Sequence, residues 1–314
     1  MDTDRGCWGR VVKVSSIAPY FGAKRTLART IAQHLGPHRA YCELFMGSAA
    51  VLLSKPEASI EIANDLYGSI INLARVLASP RWHDLQRRCG RMLMHEQLFL
   101  ECKASVRSSE HVVAPSISGV DDEHVDAAVW FFARSWLGRN GAVGTHESNA
   151  TMARRFTSKG GGGGIRWRAA LASMRSWHDR LQRVQFSQMN AIEMASRIED
   201  SGDWSIYADP PYIDKGAKYV HDFEPEDHAS LAEALGRFCY AKVVVSYYDH
   251  PDLDNMYAGW CKVHCPVTKG LVNGSGRSAA GKVLAPEVLL LNEAACDAVA
   301  ADGLFQTWST GVLA

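Results

Sequence analysis

RAYCELFMGSAAVLLSKPEASIEIANDLYGSIINLARVLA, residues 39–78, carries the pattern that decides the fold. RAYCELF is a short apolar run of strand length, and MGS is a small-residue turn. AAVLLSK predicts a helix that ends near Pro56, because proline lacks the donor a helix needs. ASIEIAND predicts a second strand, and LYGSIINLARVLA places apolar residues at helical spacing. Strands that alternate with helices imply a parallel, doubly wound α/β sheet.

Working outward, residues 11–35 predict a short strand, a loop APYFGAKR and a helix TLARTIAQHL. The alternation resumes after residue 183. VQFSQMN, WSIYAD and KVVVSYY are strands; AIEMASRIE, PEDHASLAEALGRF and DHPDLDNMY are helices; WCKVHCPV and APEVLLLN are two closing strands. Between them the texture changes. Residues 82–107 and VDAAVWFFARSWLG are helical, residues 108–124 are turn-prone, and a loop with five consecutive glycines (Gly160 to Gly164) precedes the helix IRWRAALASMRSWHDRLQRV. No GK[ST] follows those glycines, so they are not a phosphate-cradling loop. The simplest organisation is one α/β domain, residues 1–79 and 184–314, with residues 80–183 inserted into it as a mainly helical, basic region.

The 314 residues are 47% hydrophobic and 22% charged, as a globular chain requires. No apolar run reaches the roughly 20 residues that span a bilayer. The opening MDTDRGCWGR is unlike a signal peptide, so a cytoplasmic location without membrane contact is expected. Eight scattered cysteines read as reduced core thiols, and WCKVHC, with Cys261, His264 and Cys265, lacks the further ligands of a zinc site, so no metal is expected. Thirty-four basic and thirty-four acidic residues cancel, yet residues 134–183 hold ten basic residues against Glu147 and Asp179, a local net of +8. Such an excess is the footprint of a nucleic-acid surface, or else a solvated face that balances acidic neighbours.

The chemistry gathers where strands end, because open α/β sheets bind ligands at their carboxyl edge. ELFMGSA follows the first strand with Glu43, Phe45, Gly47 and Ser48, a turn that lets a ligand approach the backbone. The second strand ends at Asn64 and Asp65, where an acid is placed to accept from ribose hydroxyls, which points to a nucleoside cofactor. SIYADPPYID, residues 205–214, stops being regular at Asp209, because Pro210 and Pro211 cannot continue a ladder. An exocyclic amine on a nucleobase is a poor nucleophile, since its lone pair is delocalised into the ring. Two acceptors, the Asp209 carboxylate and the Pro210 carbonyl held by Pro211, draw its N–H groups toward tetrahedral geometry, and Tyr212 offers a face for an extruded base.

On these residues the chain resembles the Dam-like DNA adenine-N6 methyltransferases, phage-encoded members included. APYFGAK, with Tyr20, Gly22 and Lys24, is similar to the family's amino-terminal cofactor motif; ELFMGSA to its FxGxG motif; NDLYGSIIN to its acidic ribose motif; and DPPY to its catalytic tetrapeptide. The RNG at Arg139 to Gly141 and TSKGG…RWR are similar to phage-type members, so the likeness covers nearly the whole chain. The resemblance implies a Rossmann-like doubly wound sheet of the class I methyltransferase type with an inserted target-recognition domain. It implies S-adenosyl-L-methionine as cofactor, held by Tyr20, Gly22, Lys24, Glu43, Phe45, Gly47, Ser48, Asp65, Asn190 and Asp209. It also implies catalysis by Asp209, Pro210, Pro211 and Tyr212, with double-stranded DNA on Arg139, Asn140, Arg154, Arg155, Lys159, Arg166 and Arg168.

Three positions depart from the family pattern. Ala49 stands at the second glycine of FxGxG, Asn190 replaces a common acid near the cofactor adenine, and Ser246–Tyr247 replaces a commoner Ser-Asn or Ser-Gly pair. Asp at the head of the tetrapeptide favours adenine by resemblance alone, so cytosine-N4 methylation, RNA as substrate and a binding homologue without turnover stay open. His228 reads as a helix-start residue, Trp130 and Trp136 as core, and Trp167, between Arg166 and Arg168, as a candidate contact to backbone or base.

Overall fold

The computed structural model describes residues 15–20, 22–108, 119–138, 151–152, 163–213, 223–268 and 284–301. Its sheet is built from β1 (Ala40–Glu43), β2 (Ile60–Asn64), β3 (Gln185–Ser187), β4 (Trp204–Ala208), β5 (Lys242–Tyr248), β6 (Cys261–Thr268) and β7 (Leu284–Leu291), in the order β3-β2-β1-β4-β5-β7-β6. The first five are mutually parallel, and β7 runs antiparallel to both β5 and β6. Every residue of β1 is buried, as a strand covered on both faces must be. Tyr41, Tyr207 and Val244 enter the apolar cluster on one face, while Cys42, Ile206, Val243 and Val245 enter the cluster on the other. The doubly wound α/β sheet read from residues 39–78 is therefore present. Strand order reverses between β1 and β4, so the crevice at their carboxyl ends is the topological switch point.

Ten helices are present among the described residues: α1 (Ala28–His34), α2 (Gly68–Ala78), α3 (Trp82–Gly90), α4 (Glu96–Ser108), α5 (Asp122–Leu137), α6 (Gly163–Leu181), α7 (Ala191–Ser196), α8 (Pro225–Gly236), α9 (Asp252–Met256) and α10 (Glu293–Ala301). Asp121 caps α5 by accepting from the His124 N–H at 3.0 Å, and the helix stops at Gly138. Helices α3, α5 and α6 lie on α2 and on each other, and share one apolar cluster with the sheet. Trp167 belongs to that cluster. It is buried against Phe132 at 5.4 Å, which corrects its reading as a base contact, while Trp136 fills the core as expected. Arg180 of α6 clamps the helix onto β2 through Glu61, which Lys55 also holds at 2.6 Å, so this arginine of the +8 window is neutralised within the fold.

Four local expectations fail for identifiable reasons. Residues 49–55 form successive turns and no helix, and Ala49 at φ 57° lies outside the helical region where the helix was expected to start. The strand expected from residue 11 is absent over residues 15–18, which bend instead; residues 11–14 lie outside the described part. Helix α10 was not anticipated; the Asn292 side chain starts it by accepting from the Ala295 N–H at 3.1 Å. Cys261 of β6 and Cys296 of α10 are joined by a disulfide, which corrects the reading of the cysteines as wholly reduced. Cys42, Cys89, Cys102, Cys239 and Cys265 are free thiols. Among the described residues no helix is long and apolar enough to cross a membrane.

Candidate active site

A cavity opens at the switch point, and the strand ends determine who lines it. Register pairs Glu43 of β1 with Ala63 of β2 and Tyr207 of β4, so the residues just past each strand converge on one edge. Asn64 fixes that edge: its amide donates to the carbonyls of Leu44 and Met189 at 3.0 Å each, and its oxygen accepts from the Met189 N–H at 3.1 Å. The cavity is lined by Tyr20, Gly22, Lys24, Glu43, Tyr207, Asp209 and Pro211. Phe45, Gly47, Ser48, Asp65, Asn190, Phe223 and Asp227 line it as well. Every cofactor residue named from the sequence therefore meets at one cavity.

The turn after β1 is shaped by backbone that side chains resist. Gly47 lies at φ 46°, in the left-handed region where only glycine is unstrained, and a Cβ there would fill the space 3.6 Å from the Tyr20 ring. Asp65 holds the turn from β2, accepting from the Gly47 N–H at 2.7 Å and the Tyr67 N–H at 2.9 Å. Ala49, at the position of the second glycine, keeps a left-handed φ of 57°, so the turn retains glycine-like geometry despite the substitution. Burial pushes the Asp65 carboxyl up to about 6 against those two N–H bonds. Burial likewise pushes Glu43 up to about 8, with the Tyr41 hydroxyl opposing and the Asp209 charge adding to the rise.

At the end of β4, Asp209 is gripped from two directions. Lys24 places its Nζ 2.7 Å from Oδ1 and 2.8 Å from Oδ2, and also donates to the Gly22 carbonyl at 3.1 Å. The Ser246 hydroxyl on β5 donates to Oδ1 at 2.9 Å and lies 2.9 Å from the Tyr207 hydroxyl, which orients the carboxylate from behind. Burial disfavours the Lys24 ammonium, but the charges of Asp209 and Glu287 outweigh it, and its pKa lies above the ordinary 10.5.

Pro210 and Tyr212 do not line the cavity. Pro210 is buried, and Tyr212 is 5% exposed, its ring 4.3 Å from Tyr248 and its hydroxyl donating to Glu287 at 2.7 Å. Asn190 spends its oxygen on the Ile192 N–H, capping α7 at 2.8 Å. His228 faces the Tyr247 hydroxyl at 2.9 Å and is buried, a core contact on α8. Phe223 and Asp227 were missed because nothing in PEDHA announces a cavity; the Phe223 ring meets Phe45 edge-on at 5.9 Å, which carries the start of α8 over the β1 turn. Arg139, Asn140, Arg154, Arg155 and Lys159 lie outside the described residues, and Arg166 and Arg168 are on α6.

The sheet order, its antiparallel seventh strand and the switch-point cavity make this the class I methyltransferase fold. The family model of the D12 class N6 adenine-specific DNA methyltransferases matches residues 20–269, and the chain belongs to that family. Family membership supports DNA adenine-N6 methylation in general terms, with S-adenosyl-L-methionine as the methyl source of the class. No curated protein matches the chain.

Proposed function

We propose that this chain transfers a methyl group from S-adenosyl-L-methionine to the N6 amine of an adenine extruded from double-stranded DNA. The observation that carries the reading is Asp209: a carboxylate fixed by Ser246 and Lys24 in the lining of the cavity that Gly47 and Asp65 also line. The cavity fits the cofactor by its donor set. Gly47 leaves a cradle beside Tyr20 that any side chain would fill, and Asp65, Glu43 and Asp209 present carboxyl groups toward a cationic nucleoside. When bound, the cofactor supplies an electrophilic methyl on a sulfonium. Tyr20, Gly22, Lys24, Glu43, Phe45, Gly47, Ser48, Asp65 and Asn190 would hold it.

The protein's own part is acceptance and orientation. Asp209 accepts one N–H of the target amine; the Pro210 carbonyl, outside the cavity lining in the state described, accepts the other once the tetrapeptide is opened to the base, and the lone pair is then freed for in-line attack. Ser246 holds Oδ1, so the substrate amine would take Oδ2, the oxygen that Lys24 holds in the state described. Tyr212, buried beneath Tyr248, supports the tetrapeptide from behind, so base stacking on its ring requires that cover to move. Residues 80–183 serve as the target-recognition region, with Arg139, Asn140, Arg154, Arg155, Lys159, Arg166 and Arg168 facing the duplex and aromatic or apolar groups receiving the extruded base.

The test is incubation with methyl-labelled S-adenosylmethionine and duplex DNA, followed by digestion to nucleosides. N6-methyladenine is expected, lost in Asp209→Asn while cofactor binding persists. Label in N4-methylcytosine, label in RNA alone, or an Asp209→Asn protein as active as wild type overturns the reading.

A further inference from the structure

Both oxygens of Asp209 are already engaged in the state described. Lys24 Nζ lies 2.8 Å from Oδ2 and 2.7 Å from Oδ1, and Ser246 holds Oδ1 as well. An incoming N–H competes with the ammonium for Oδ2. Lys24 is buried, so a displaced ammonium needs another anion within reach, since an unpaired buried charge is strongly unfavourable.

The sheet supplies one. Because β7 runs antiparallel to β5, a residue near the start of β7 lies at the carboxyl edge, and Glu287 pairs in register with Tyr248 there. Its Oε2 accepts the Tyr212 hydroxyl at 2.7 Å, and the Lys24 ammonium lies over the Tyr212 ring, 4.8 Å from its centroid. The ammonium that pairs with Asp209 thus lies over the ring whose hydroxyl Glu287 holds, and the Glu287 charge acts on it. Glu287 is half-buried and lies beyond the stretch that matches the family model.

We propose that Glu287 is a positioning residue for the methyl transfer: it receives the Lys24 ammonium when the target amine takes the place of that ammonium on Asp209. The inference rests on Asp209 being the amine acceptor. No proton changes hands in the exchange. Lys24 stays cationic, Asp209 exchanges an ammonium N–H for an amine N–H, and the positive charge moves away from a nitrogen that turns cationic as it is methylated. Tyr212, tied to Glu287 by its hydroxyl, keeps the two carboxylates at a fixed separation across its ring.

The test compares wild type with E287Q, which keeps an acceptor for the Tyr212 hydroxyl and removes the charge. The kcat is expected to fall about tenfold to a hundredfold, as for a displaced catalytic group, while KM for DNA and for S-adenosylmethionine stays within about twofold. A kcat equal to wild type, or a loss confined to KM, overturns the proposal. The wild-type protein gives a second measurement that needs no variant. In a crystal structure with S-adenosylhomocysteine and a duplex chosen by mapping its methylated sites, Lys24 Nζ is expected within hydrogen-bonding distance of Glu287 and off Asp209 Oδ2. Lys24 remaining on Asp209 beside a bound adenine amine overturns the hand-off. A wild type without methyl transfer to adenine would instead strike the functional reading beneath it.

Discussion

Removing Asp209 disturbs stability and chemistry together, and the two are separable through Lys24. The Lys24 side chain is 5% exposed and that of Asp209 19%, with nitrogen and oxygen 2.7 Å apart. Breaking a buried pair by deleting one member typically costs 3–5 kcal/mol, and the partial exposure of Asp209 with Glu287 nearby puts Asp209→Ala at about 3 kcal/mol. Lys24→Met leaves a carboxylate that still has the Ser246 hydroxyl and some water, so about 1.5 kcal/mol is expected. The double variant has no stranded charge and is expected to fall short of the sum by about 2 kcal/mol. Urea unfolding of the four proteins at pH 8 reads that coupling, and methyl transfer read in parallel stays absent from both proteins that lack Asp209. The Lys24 pKa is raised in the fold, so the coupling is fully present below the ordinary 10.5 and is lost as pH climbs above it through the folded value. Additivity within about 0.5 kcal/mol refutes the reasoning, as does transfer restored in the double variant.

Three further outcomes follow from local geometry. Ala49→Gly relieves a left-handed alanine worth about 1–2 kcal/mol but loses a buried methyl and frees the unfolded chain, so thermal melts are expected to place it within about 1 kcal/mol of wild type. Ala49→Val, branched in the same backbone region, is expected to cost about 3 kcal/mol by the same measurement. Arg180→Met leaves the Glu61 carboxylate, 2% exposed, with only Lys55 and the Ala58 N–H, and is expected to lose about 3 kcal/mol of stability. DNA affinity measured by fluorescence anisotropy should not change in that variant, and a large fall would mean that Arg180 serves the duplex.

What the sequence disclosed was whatever is local in the chain. The strands of residues 39–78, the turn at Gly47 and the break at Asp209 each follow from a few adjacent residues, and the parallel sheet brings their ends together without further information. The same locality explains the failures. AAVLLSK has helical composition, yet its first residue, Ala49, is held at φ 57° by the turn after β1, outside the helical region. The +8 window looked like a free basic surface because the partners of Arg180 and Arg183, Glu61 and Glu57, stand 119 and 126 residues away in the chain. Arg175 is paired with Asp179 on its own helix. Tyr212 reads as exposed only until Tyr248 and Glu287, from two other strands, close over it. The Cys261–Cys296 bond needed α10, whose start depends on Asn292 capping a helix of ordinary composition.

The cavity's carboxyl groups also set how cofactor binding couples to protons. Burial holds Glu43 up to about 8, so at neutral pH it carries a proton in a cavity lined as well by Asp209 and Asp65. A carboxyl whose folded value exceeds its ordinary 4.5 destabilises the fold as pH rises from 4.5 through about 8, because the charge is formed where water is scarce. S-adenosylmethionine carries a net positive charge, and a cation in the cavity favours the ionised carboxylate. Binding therefore lowers the Glu43 value and releases a fraction of a proton between pH 6 and about 8, and affinity rises with pH across that window. Titration calorimetry in buffers of different ionisation enthalpy at pH 7 is expected to show proton release in wild type and a much smaller release in Glu43→Gln, whose amide still accepts from the Tyr41 hydroxyl and the Leu52 N–H. Heats that do not vary between buffers, or proton uptake, would show that Glu43 does not sense the ligand's charge, and the placement of the cationic end of the cofactor beside it would be wrong.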